Sequence, residues 1–63
     1  MDSTLEYLWS QIEDRRKTLI ENLGDGSAKD FESYQMTVGM IRGYTTVQNI
    51  INDLAKRLEN SDE

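Results

Sequence analysis

Apolar residues recur along the chain at the three- and four-residue steps of an α-helix, in two runs parted by a short glycine-containing segment. In the first run Leu5, Leu8, Trp9, Ile12, Leu19, Ile20 and Leu23 fall on one stripe when projected at about 100° per residue. Arg16 sits inside that stripe, while Tyr7, Glu13, Asp14, Lys17 and Glu21 lie off it. Ser3-Thr4-Leu5-Glu6 fits a capping box, in which serine and glutamate satisfy each other's backbone amides, and so marks a helix start. Gly24 follows the last apolar position, where a left-handed residue closes a helix. The pattern predicts a helix over 4–23 and a turn over 24–27.

The second run opens with Ser27 as a cap and Asp30 as a first-turn acid. Nothing stops it before the acidic tail at 60–63, so a helix over 28–59 is predicted. Two helices joined by so short a turn make an antiparallel αα-hairpin. The expected architecture is one all-α domain over 1–63, a helical hairpin with a longer second helix. About 32 residues reach ~48 Å, against ~30 Å for the first arm. The last three turns of the long arm are therefore expected to lack cover, leaving Ile51, Leu54 and Leu58 open and the hairpin completed by oligomerisation or docking.

Within the long arm Phe31, Tyr34, Val38 and Ile41 share one face, and Met36, Met40, Tyr44, Val47, Ile51, Leu54 and Leu58 share another. Two faces imply two contacts, and the second is the candidate protein-interaction site. Gly39 and Gly43 lie at its edge, where small residues four apart permit close approach, as in membrane helices, or mark a kink or a tolerated weakness. Each costs about 1 kcal/mol relative to alanine within a helix. Arg42, between Ile41 and Gly43, either pins a partner carboxylate or is solvated. Arg16 packs its stem and snorkels, or meets an acid on another helix. Trp9 reads as core, with an exposed anchor as its sharper alternative, and the methionines as filler or as an adaptable binding patch.

Composition narrows the chemistry. Sixty-three residues without cysteine or histidine hold neither disulfides nor the usual zinc ligands, so association is the remaining staple for so small a core. The same lack removes Ser/His, Cys/His and metal-imidazole catalysis, and a chain this short builds few concave pockets. Asp25 to Asp30 fails as a calcium loop because Lys29 and Asp30 occupy its fifth and sixth positions. Glu13 and Asp14 point apart on a helix, and Arg15-Arg16-Lys17, flanked by acids, reads as helix-face ion pairing. A non-enzyme without cofactor or metal is expected. Seven basic against twelve acidic residues, net charge −5, disfavour direct nucleic-acid binding. No apolar run approaches a membrane span, and Met1 is followed by Asp2 and Glu6 rather than a signal peptide, so a soluble intracellular protein is expected.

Ala28-Lys29-Asp30-Phe31-Glu32-Ser33-Tyr34, Gly39-Met40-Ile41-Arg42-Gly43 and Ile51-Asn52-Asp53-Leu54-Ala55-Lys56-Arg57-Leu58 follow one another through the second half of the chain, after a Leu-rich first helix and a Gly-containing turn. In these segments it resembles small helical-hairpin proteins of tailed bacteriophages, commonly encoded with virion-assembly genes. The resemblance implies a virion structural or assembly role, a capsid, portal or tail component or a second copy of the chain as partner, and a place in the host cytoplasm during assembly or in the virion. It supplies no catalytic residue. The alternative expectation is a small regulatory inhibitor that caps a host protein or mimics nucleic acid with its acidic surface. The chain is also similar in size and architecture to the plasmid copy-number regulators that dimerise into four-helix bundles, which implies a homodimer, but it lacks their basic RNA-binding face.

Overall fold

Helix α1 spans Ser3–Gly24 and helix α2 spans Phe31–Ser61 in the computed structural model, which describes residues 2–26 and 29–61. The start of α1 is set by Asp2 rather than Ser3. One Asp2 carboxylate oxygen accepts the Thr4 N–H at 2.8 Å and the Leu5 N–H at 3.3 Å, and its carbonyl accepts the Glu6 N–H at 2.8 Å. An aspartate satisfies two of the orphan amides and adds a negative charge at the positive end of the helix dipole. Ser3 becomes the first helical residue, and the Ser3/Glu6 box gives way to this cap.

At the other end Gly24 stays helical. Asp25 is the cap residue, and its N–H donates to the Glu21 carbonyl at 2.9 Å. The left-handed conformation falls on Gly26, at φ 79°, two positions later than expected. Helix α2 then begins at Phe31, three residues after the predicted start, because Asp30 is itself the cap: its carboxylate accepts the Ser33 N–H at 2.7 Å and its carbonyl the Tyr34 N–H at 3.0 Å. The Ser27 cap predicted for this helix lies outside the described residues, as do Ala28, Asp62 and Glu63. Asn60 and Ser61 continue the helix, and the Ser61 hydroxyl donates to the Leu58 carbonyl at 2.9 Å.

The two helices lie side by side in a hairpin 51 Å long and 16 by 12 Å across. Its register differs from the expected one. Leu19 borders Met40 and Tyr44, Glu13 lies beside Gln48, and Trp9 borders Asn52, so each step back along α1 matches a step forward along α2. Continued at helical rise, this register brings the start of α1 level with the last turns of α2. The uncovered turns are the first ones of α2, where Phe31, Tyr34 and Met36 are exposed. Ile51, expected to be open, is 7% exposed, as is Ala55. The long arm's surplus sits at the turn end of the hairpin because α2 starts its pairing about a turn and a half into its own length.

The core this builds is thin. On α2 the side toward α1 carries Thr37, Ile41, Tyr44, Gln48, Ile51 and Ala55, of which the last three are buried and the others half-buried. From α1, Leu5, Trp9, Ile12, Leu19 and Leu23 are half-buried against it, whereas Leu8 and Ile20, placed in the same stripe by the sequence, are exposed. Two packed helices cover only one side of each cylinder, so no large side chain among the described residues is fully enclosed.

Candidate protein interface

One helix can present two sides at once when its apolar positions occupy more than one stripe. About 100° around α2 from the side facing α1 runs a second ribbon, Met36, Met40, Val47, Ile50, Leu54 and Leu58, with Gly43 among them. All six apolar side chains are exposed, Ile50 at 61% and Met36 at 65%. The steps from Met36 through Met40, Gly43, Val47 and Ile50 to Leu54 alternate between four and three residues, the spacing of a seam that receives another helix. Among the described residues no helix is long and apolar enough to cross a membrane.

The structure divides the predicted interaction residues into three groups. Met36, Met40, Gly43, Val47, Leu54 and Leu58 share the open ribbon. Tyr44 and Ile51 lie on its border and turn toward α1, Ile51 completely enough to belong to the hairpin core. Gly39 and Arg42 line a shallow depression around the far side of α2, with Phe31, Tyr34, Gln35 and Val38. The sequence reading omitted Ile50, one of the most exposed apolar residues of α2; heptad spacing is the signal that identifies it.

Neither glycine is required by the packing of α1 on α2, since a Cβ at Gly39 or Gly43 would meet nothing within 4 Å. Helix α2 runs through both. The ribbon extends onto α1 where Gln11, Asp14, Arg15, Thr18 and Leu19 border Met40 and Tyr44. Arg57 and Asp53 form an exposed ion pair at 3.0 Å near its far end.

The opposite side of the hairpin is polar. Arg16 neither snorkels freely nor reaches another helix: its guanidinium grips Glu13 of its own helix with two hydrogen bonds, 2.7 and 3.3 Å. Glu13, which lies off the apolar stripe, nonetheless has a side chain only 14% exposed. The Arg16 hydrogen bonds hold the Glu13 carboxyl below the usual carboxylate range, against a smaller opposing effect of desolvation; Glu13 in turn raises Arg16. The Gln48 amide also favours the Glu13 charge from close by, although its buried Nε2 makes no contact of full hydrogen-bond geometry among the described residues. Trp9 is half-buried as expected of a core residue, and its buried indole Nε1 also lacks a partner. At the turn, the Ser33 backbone N–H and then its hydroxyl lower the Asp30 carboxyl.

One side of α2 thus carries an apolar ribbon open to water, while on the other side of the hairpin Arg16 and Glu13 pair within α1. No family model, curated protein or solved structure matches the chain.

Proposed function

We propose that the chain is a non-enzymatic binding protein that docks through the exposed ribbon of α2, acting as a structural or assembly component of a phage virion. The single observation that carries the docking role is the run of exposed apolar side chains from Met36 to Leu58, spaced as a helix-receiving seam and left open to water by the hairpin. The virion setting rests on the phage-like segments, above all Gly39-Met40-Ile41-Arg42-Gly43. Both threads favour helix-mediated protein contact and require no cofactor.

Quantitative mass spectrometry of purified particles and assembly intermediates tests this. Wild-type chain should be present at a fixed copy number per particle, and Leu54→Asp should be lost from particles while remaining helical, because Leu54 is exposed in the hairpin. Absence of the wild type from both particles and intermediates, with capture of one host protein instead, would replace this reading with the inhibitor.

A further inference from the structure

We propose that the ribbon is covered by a second copy of this chain, in a two-fold antiparallel pairing of α2 helices centred on Val47. The inference rests on the docking role above and names its occupant. Area is the first argument. A folded monomer of 7.3 kDa exposes about 4,200 Å², whereas this hairpin exposes 4973 Å². The excess of about 800 Å² equals one partner's share of a standard-size interface.

Charge is the second. Twelve carboxylate side chains and a net charge of −5 set copies of this chain against each other almost anywhere they could touch. From Ser33 to Asn52, however, α2 carries no acid at all, and Arg42 is its single charge. A negatively charged partner would find little there to hold it, whereas a second copy centred on Val47 sets 42–52 against itself and the acid-free 33–41 against a segment in which Lys56 and Arg57 balance Asp53 and Glu59.

Shape fixes the direction. The ribbon runs from Met36 to Leu58 and its midpoint is Val47. Antiparallel overlap about that point sets Met36 against Leu58 and Met40 against Leu54, and brings the projecting Ile50 beside Gly43, where nothing within 4 Å would oppose a Cβ. A parallel pairing would set Ile50 on Ile50 and leave a void between the two glycines. Glu13 lies level with Gln48, so the same dyad passes α1 near Asp14 and sets exposed Leu8 level with the Leu19-Ile20 step of the second copy. Because the ribbon and the side facing α1 are about 100° apart on α2, the hairpin need not open to pair, and the product is a four-helix bundle.

The chain has no cysteine, so single replacements report the arrangement directly. Val47→Cys should oxidise to a disulfide-linked dimer, since the two copies of that residue meet at the dyad. Met36→Cys alone should not, because its two copies stand about 33 Å apart, but mixed with Leu58→Cys it should give the heterodisulfide. Cross-linking of Met36→Cys as readily as of Val47→Cys, or a Val47→Cys chain that stays at 7.3 kDa under oxidation, would overturn the proposal. The two readings fail separately: a monomeric chain that particles take up through Leu54 refutes the second copy alone, whereas absence of the wild type from particles and intermediates refutes the virion role alone.

Discussion

Gln48 carries the sharpest energetic consequence of the hairpin's packing. Its side chain is 5% exposed, and Nε2 is buried without a hydrogen-bond partner. Leaving a buried amide donor unpaired costs about 1–3 kcal/mol, and methionine has nearly the same length and helix propensity as glutamine without that donor. Gln48→Met also removes the amide dipole that favours the charged Glu13, which offsets part of the gain. A net stabilisation of about 1–2 kcal/mol should remain, raising the melting temperature of so small a domain by roughly 5–15 °C. Thermal denaturation followed by circular dichroism, at one fixed protein concentration so that association is held constant, reads this out. Gln35→Met, at an exposed site on the same helix, is the control and should change stability by no more than about 0.5 kcal/mol. A carboxyl NMR titration should show Glu13 moving up toward the usual carboxylate range in Gln48→Met. Destabilisation by more than about 1 kcal/mol would mean that Gln48 is a satisfied member of the Glu13–Arg16 layer, and the reasoning would be wrong.

Ile51→Ala should cost about 2 kcal/mol, the low end for such truncations, because the site lies between only two helices and water or neighbours fill the gap; an unchanged urea midpoint would remove Ile51 from the hairpin core. Asp2→Ala should cost about 1 kcal/mol while Ser3→Ala costs much less, and equal losses in thermal melts would restore the Ser3 box as the helix start. The depressed carboxyls of Glu13 and Asp30 contribute stability that is fully present above the ordinary carboxylate range and lost as pH falls through their lowered folded values. Melting temperature should therefore fall between about pH 5 and pH 2, and less steeply in Glu13→Gln; identical acid profiles would exclude Glu13 as a source of that loss.

Much of this fold was legible from the order of residues, since the stripe through Leu5, Ile12, Leu19 and Leu23 and the break at Gly24-Asp25-Gly26 describe a hairpin without further information. The helix ends were less so. Ser3 and Ser27 are good capping residues, but Asp2 and Asp30 stand near enough to serve, and an anionic oxygen that reaches two amides, or an amide and a hydroxyl, has more to gain. The register was hidden for a different reason: a turn length says how many residues separate two helices, not how far the second travels before it packs. That offset, about a turn and a half, carried Ile51 into the core and left Phe31 and Tyr34 bare. The apolar side of α2 that the hairpin leaves open was legible in outline but not at its border, because two apolar sides about 100° apart share their boundary positions. Tyr44 and Ile51 fall on that boundary, and Ile50 falls just past it.

The central claim, that the exposed ribbon of α2 is an interface which a second copy of the chain completes, is tested most directly by sedimentation equilibrium of the wild type and Leu54→Asp over a concentration series. The wild type should move from 7.3 kDa toward twice that mass as concentration rises, while Leu54→Asp stays at 7.3 kDa. A fully helical wild type that remains at 7.3 kDa into the high micromolar range would contradict it.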